Sequence, residues 1–177
     1  MAKPIEIHVR LDAGAFRRYC AFDTFRRQRR WFPPVMVGMA LVTLALGGLL
    51  NLIPMGEGTA GVLMGLGIAV PLMAFGLYAI QIEAQIAGQK LKEAPEVYAL
   101  RLSDDGVRVT NGQKDEPPVE LAWGQLWAAF RRKDGVYLYA TPDRAFILPN
   151  GQADATDEVV WKCLKKNLGE GKCVEGK

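Results

Sequence analysis

Two long stretches without a charged side chain govern what this chain can fold into. Trp31 to Ile53 is 23 consecutive residues without Asp, Glu, Lys or Arg, and Gly58 to Ile82 is 25 more. As helices they would extend about 34 and about 37 Å, enough to cross a hydrocarbon core of roughly 30 Å with some tilt. A buried hairpin of a water-soluble fold would need a polar stripe on each helix, and neither run has one. They are therefore read as transmembrane spans at 31–53 and 58–82. Only Pro54, Met55, Gly56 and Glu57 separate them, so the spans must be antiparallel neighbours forming a hairpin. The first run starts only at Trp31 and is too long for the apolar core of a cleaved signal peptide.

Charge sets the expected orientation. Residues 1–30 carry eight basic and three acidic side chains, whereas residues 83–177 carry 14 and 15, so the formal net charge of +3 is an N-terminal property. A chain whose large polar segment is nearly neutral is not expected to bind nucleic acid. Arg26, Arg27, Arg29 and Arg30 precede the first span, Lys90 and Lys92 follow the second, and the connecting loop has no Lys or Arg. By the positive-inside rule both termini are cytoplasmic, and Trp31, Phe32 and Tyr78 fit the interfacial aromatic belt.

Within the spans the polar side chains are Thr43, Asn51, Thr59, Tyr78 and Gln81, mostly toward the ends. No ionisable group lies near the expected midplane, which argues against a channel or transporter. Gly61 and Gly65 form a G-x-x-x-G, which permits close helix approach. They are read as packing the two helices of one hairpin together, with dimerisation as the alternative. Pro71 is expected to kink the second helix.

The polar parts change period. Residues 5–11 alternate strictly and predict a half-buried strand with His8 exposed; Asp12 predicts an N-cap for a helix through about Arg30, in which Phe22 and Phe25 drift off the apolar face. Pro33-Pro34 predicts a break where that helix meets the bilayer. Strands are expected at 96–102, 107–111, 119–123, 126–132, 136–141 and 144–148, with a turn at Ser103-Asp104-Asp105-Gly106 in which Gly106 takes a positive φ. Gly112 to Pro118 reads as a polar loop. Thr156 predicts the cap of a last helix ending near Leu168 before Gly169, with Val160, Cys163, Leu164 and Leu168 on the sheet.

The fold expected is therefore an α+β membrane protein: an N-terminal cytoplasmic strand and amphipathic helix (1–30), a two-helix transmembrane hairpin (31–82), and a small antiparallel β barrel or sheet with a C-terminal helix (83–177). With Trp123-x-x-Leu126, Tyr137-Leu138-Tyr139 and Ala145-Phe146-Ile147-Leu148-Pro149, this architecture resembles the YcxB-like family of bacterial membrane proteins. The resemblance covers nearly the whole chain. It implies a bacterial inner-membrane protein with a pleckstrin-homology-like cytoplasmic domain, and no catalytic residues. Family members often place Lys or Arg after the proline; here Asn150-Gly151 follows, which weakens a basic site there.

The inventory of reactive groups is thin. His8 is the single histidine and Ser103 the single serine, at opposite parts of the sequence, which disfavours a Ser-His-Asp site. Cys20, Cys163 and Cys173 are an odd number without C-x-x-C spacing and read as reduced thiols. No phosphate-binding glycine motif occurs in the polar parts. No catalytic, cofactor-binding or metal-binding residue is expected. Two basic clusters are expected to meet anionic headgroups: Arg26, Arg27, Arg29 and Arg30, and Arg131, Arg132 and Lys133 at a hairpin tip. Most of Trp123, Trp127, Phe130, Tyr137, Tyr139 and Phe146 are expected to form the core of a small barrel, with one face open to a partner. The function expected is a non-enzymatic scaffold whose partners are the lipid bilayer and either a protein or a second copy. The alternative is a membrane-bound enzyme acting on a lipid or peptide through carboxylates or Cys20.

Overall fold

Along β1 (Ile5–Arg10), Ile5, Ile7 and Val9 are buried while Glu6, His8 and Arg10 are exposed, the alternation of a strand with one wet face. The structure, a computed structural model, describes residues 4–111 and 117–176, so the expected loop at Gly112 to Pro118 lies mostly outside the described residues. β1 pairs antiparallel with β2 (Glu96–Leu102), Ile5 opposite Leu102 and Val9 opposite Tyr98. Beyond the strand ends the Leu11 N–H still donates to Pro95 O, at 3.2 Å. Residues 12–94, both long apolar helices included, are thus an insertion in the connection of a single β-hairpin.

β2 pairs with β3 (Val107–Asn111) and β3 with β4 (Val119–Leu121), giving a first sheet of order β1-β2-β3-β4. A second sheet contains β5 (Ala128–Arg132), β6 (Gly135–Thr141) and β7 (Arg144–Pro149), with β8 (Cys173–Glu175) parallel to β5, in the order β7-β6-β5-β8. The free edge of β1 joins the sheets. Asp154 N–H donates to Glu6 O, the Glu6 N–H to Asp154 Oδ1, the Arg10 N–H to Gln152 Oε1, and Gln152 Nε2 back to Arg10 O, at 2.8 to 2.9 Å. Two polar side chains thereby satisfy backbone groups that a lone edge would leave to water. Tyr98 adds a second tie: its hydroxyl donates to Ile147 O at 3.0 Å and accepts from Ile147 N–H at 2.7 Å. Burial pushes this phenol well above the usual tyrosine range.

Between the sheets the core is aliphatic: Ile7, Val9, Leu100, Leu102 and Val107 face Val136, Leu138 and Leu148, and α4 (Asp157–Leu168) closes it with Val160, Trp161, Leu164 and Leu168. The expected aromatic core is not what forms. Tyr137 and Tyr139 are buried on the opposite face of β6, beneath Tyr19, whose ring centroid is 5.2 Å from that of Tyr137. The cause is the two-residue period: Val136 and Leu138 take the inner face, so the tyrosines between them must take the outer one. The outer face is covered by α1 (Ala13–Ala21), and residues 135–139 are therefore buried on both sides instead of alternating. Trp161, the large aromatic that does fill the core, lies one residue from Val160 on the inner stripe of α4. Its indole N–H bonds Glu175, tying down β8, while Lys172 Nζ donates to Leu126 O at 2.8 Å.

Several local expectations shift. Thr156 occupies the cap position of α4, but the bonds from Val159 and Val160 N–H go to its carbonyl and not its hydroxyl. Gly169 ends the helix at φ +83°. Gly106 adopts no left-handed angle; glycine is needed there because a Cβ would collide with Leu121 O. Asp12 does cap α1, its Oδ1 accepting from Ala15 N–H at 2.6 Å. That helix does not run to Arg30. It stops at Ala21, continues as a π-helical turn over Phe22–Arg27, and breaks at residues 28–31, where Arg29 has φ +50°. Pro33 and Pro34 do not form the break. They sit in the first turn of α2 (Phe32–Leu49), where the missing N–H has no intrahelical acceptor to lose. α2 ends short of Ile53 at a turn in which Asn51 is left-handed, and α3 (Glu57–Gly88) outlasts the uncharged run by two turns.

The chain divides into two compact units, one built from the residues up to Tyr19 and from Gln89 onward, the other from Cys20–Gly88. The segment before α2 is thus divided between them. Because Val9 is fully buried in the aliphatic core, Val9→Asp places an unpaired carboxylate there and is expected to destabilise the β domain by about 4 kcal/mol or more. Gln152→Ala, which removes two bonds at an exposed edge, should cost about 1 to 2 kcal/mol. Denaturant unfolding followed by the near-ultraviolet signal of Trp161 checks both. An undiminished midpoint for Val9→Asp would show that β1 is dispensable to the domain.

Candidate functional site

The hairpin unit is organised by one backbone carbonyl. Pro71 has no N–H, so the Gly67 carbonyl four residues earlier loses its helical partner. That oxygen turns toward α2. A Cβ on Gly38 would lie 2.5 Å from Gly67 O and 2.6 Å from Pro71 Cγ, and a Cβ on Gly67 would lie 2.9 Å from Gly38 O. Only two glycines permit backbones this close, and the geometry suits Cα–H···O contacts in place of the lost bond. Nearer the loop Gly48 packs on Met55 and Ala60. The expected pair, Gly61 and Gly65, has nothing within 4 Å of either Cβ position. These two glycines therefore do not pack this hairpin; they lie on another face of α3.

At the other end of the hairpin, the π-helical turn packs against α3. Thr24 Oγ1 donates to the Tyr78 hydroxyl, which donates to Cys20 O, both at 2.6 Å, and Phe25 stacks on Phe75 with centroids 6.0 Å apart. The Trp31 indole N–H donates to Phe25 O at 3.1 Å and braces the break at 28–31. Of the four arginines expected at this position, Arg27 turns inward: its Nε is 2.6 Å from Asp23 Oδ1 and its side chain is only 10% exposed. The other Asp23 oxygen accepts from Gln28 Nε2 at 2.8 Å. Arg26, Arg29 and Arg30 remain exposed.

The second basic cluster belongs to the β domain and is largely committed to it. Arg131 forks onto Glu158, with its second nitrogen 3.2 Å from Glu158 Oε2, and lies 3.9 Å from Glu175 and above the Trp161 ring. Its hydrogen bond to Glu158 holds that carboxyl below, and the guanidinium above, their ordinary ranges. Arg132 is half-buried opposite Gly135, and only Lys133 of the three is exposed. Near it, Arg18 Nε pairs with Asp134 at 2.8 Å. Exposed apolar surface on this domain includes Trp127, 41% exposed, whose ring neighbours are Phe130 and Tyr139.

Reactive groups are dispersed. His8 Nδ1 is 2.9 Å from Glu96 Oε1, and that bond, with the carboxylate charge, raises the imidazole pKa. Ser103 bonds Gly106 O at 3.1 Å. His8 lies opposite Ala99, four residues before Ser103, so the two are about 13 Å apart along β2. Among the described residues, no three of His, Cys, Asp and Glu gather as a metal site. Burial and the nearby Asp23 push the Cys20 thiol up to about 11, and burial raises Cys163 and Cys173 as well. These shifts oppose thiolate formation. A small pocket between β1, β6, β7 and α4, lined by Ile7, Val136, Leu148 and Val160, has room for at most a single water.

No family model, no curated protein and no solved structure matches the chain. Two outcomes follow from the geometry. Gly38→Leu forces α2 and α3 apart and should cost about 2 kcal/mol of hairpin stability or more, while Gly61→Leu leaves it unchanged; thermal melting of the helical signal in detergent discriminates, and equal loss for both would refute the Gly38–Gly67 contact. With a pKa near 11, Cys20 is on the order of 0.1% thiolate at pH 8. Alkylation by iodoacetamide should accordingly be slow in the folded chain and rise steeply above pH 10.

Proposed function

We propose that this chain is a non-enzymatic binding protein of the bacterial inner membrane, in which α2 and α3 anchor a pleckstrin-homology-like domain to the cytoplasmic side and present it to a protein or lipid partner. The observation that carries the reading is the bare apolar surface of both helices. Their most apolar windows have mean hydropathies of 1.8 and 2.0, yet only 17% and 11% of those windows is buried. A core helix of a soluble protein would be covered. Leu50, Leu72, Met73 and Ile80 are each about two-thirds exposed, a surface that calls for lipid as its solvent.

Topology supports the same reading. β1 and β2 are adjacent strands of one sheet and the hairpin is inserted between them. The chain that leaves the domain must return to it, which two crossings accomplish and one cannot. The basic residues before α2 and after α3 support a cytoplasmic assignment for that shared side. A four-stranded antiparallel sheet, a second sheet whose β5, β6 and β7 form a meander, and a C-terminal helix packed on the core between them support the pleckstrin-homology-like description. Neutral thiols and dispersed polar groups favour binding over catalysis as the role of such a domain. The surfaces on offer are Trp127 with Phe130 on the domain and the outward Gly61 and Gly65 on α3.

Reporters of compartment fused at residues 3 and 177 should both read cytoplasmic, and one inserted at Gly56 should read periplasmic. A periplasmic signal from the C-terminal fusion is incompatible with the β1–β2 pairing across a spanning hairpin and would end the model.

A further inference from the structure

The two helices of the hairpin are unequal, and the inequality locates one rim of the bilayer. α2 has 18 residues and α3 has 32, about 27 and about 48 Å of helix. At the loop their ends are close, Gly48 packing against Ala60. The surplus of α3 therefore all lies at the other end. Gly38 is level with the segment from Gly67 to Pro71, so six residues back along α2, Phe32 is level with about Phe75. The contacts of the preceding segment agree, since Phe25 stacks on Phe75 and Thr24 bonds Tyr78. From Glu57 to Tyr78 the helix rises about 31 Å, the thickness of a hydrocarbon core. Glu57 and Tyr78 thus mark its two faces, and the aromatic belt of Trp31, Phe32, Phe75 and Tyr78 rings the second.

Arg26 and Arg29 sit at that rim. Both are exposed. The carboxylate nearest in sequence, Asp23, has its two oxygens taken by Arg27 and Gln28. The left-handed Arg29 and the brace from Trp31 to Phe25 hold the bend as a defined shape. Guanidinium groups bind phosphate through two parallel hydrogen bonds, and the phosphates of a leaflet lie just outside the aromatic belt. We propose that Arg26 and Arg29 bind the phosphate of an anionic phospholipid in the cytoplasmic leaflet. The site rests on the reading of the hairpin as membrane-spanning and adds the chemistry of its lipid partner. A zwitterionic lipid carries the same phosphate but no net charge, so the site selects anionic lipid by charge.

The test uses the full chain in non-ionic detergent, titrated with phosphatidylglycerol or with phosphatidylcholine of the same acyl chains and read by native mass spectrometry. The first phosphatidylglycerol is expected to bind roughly 25-fold more tightly, from about fivefold for each of the two arginines. Arg26→Gln with Arg29→Gln should bring the two lipids to near equality while helical content, measured by circular dichroism, is unchanged. Arg101→Gln with Arg108→Gln removes the same charge from the β domain and should keep the preference. Equal affinities in the unsubstituted chain, or a full preference surviving Arg26→Gln with Arg29→Gln, overturns the site. Alkaline carbonate extraction of membranes separates this failure from that of the anchor. A chain that stays with the membrane but lacks the preference refutes the headgroup site alone, whereas a chain released into solution refutes the spanning hairpin and the site with it.

Discussion

Backbone hydrogen bonds between β1 and β2 close a loop that contains residues 12–94, and the rest of the architecture depends on that closure. Loop length by itself is a weak obstacle, because the entropy of closing a loop grows only logarithmically, by about 0.6 kcal/mol per doubling. What the pairing requires is that the insertion end near where it began. The hairpin meets that requirement from its own contacts: Cys20 at its start bonds Tyr78 near its end, and Gly38 and Gly67 hold the helices between. In return, β1 brings Ile5, Ile7 and Val9 to the aliphatic core of the β domain, and its outer edge engages Gln152 and Asp154. The domain is therefore assembled from both ends of the chain, which makes N-terminal truncation a change to its core and not to a tail.

Much of this was legible in the sequence because the relevant signals are local. β2, β3 and α4 occupy the expected residues, and β1, β6 and β7 differ by a residue at an end. Period-two alternation, the Ser103-Asp104-Asp105-Gly106 turn and the Asp12 cap depend on neighbours a few positions away. The misses are non-local. G-x-x-x-G at Gly61 and Gly65 is a pattern within one helix, whereas the observed contact is decided by a carbonyl that Pro71 releases at Gly67 and by a glycine on a different helix. β8 has no strand signal in Cys173-Val174-Glu175; it pairs because Trp161 bonds Glu175 and Lys172 reaches Leu126 O. The left-handed Arg29 has no local marker such as Gly or Asn, so the break was read at the prolines that follow it.

For the candidate site the same division holds. The position of the arginines before the first long apolar run is plain in the sequence, but which of them face solvent is decided by acids. Asp23 and Arg27 stand four apart on one helix, a spacing that favours pairing; with hindsight this marks Arg27 as the inward member. Arg131 is withdrawn from the hairpin cluster by Glu158 and Glu175, which are 27 and 44 residues away in sequence and adjacent only through the packing of α4 and β8. Counting charges located the basic segment, and only the pairing separated Arg27, turned onto Asp23, from the exposed Arg26 and Arg29.

The segment from Phe22 to Arg27 shows how a failed sequence pattern can itself be informative. Phe16, Tyr19 and Cys20 share a helical face from which later residues drift when the turn is kept at 3.6 residues. The backbone changes period at that point: Gln28 N–H bonds Asp23 O, five residues back, at 2.8 Å. A π-helical turn takes up more residues per round and so rotates those after it back toward the earlier face. Thr24 lies within this turn on its buried side and bonds Tyr78. One continuous helical segment then presents Phe16 and Tyr19 to β6 and, further along, Thr24 and Phe25 to α3. Asp23 serves this turn twice, its carbonyl accepting from the Gln28 N–H and its carboxylate from the Arg27 and Gln28 side chains, so the turn that seats Thr24 and Phe25 on α3 is held by a single acid.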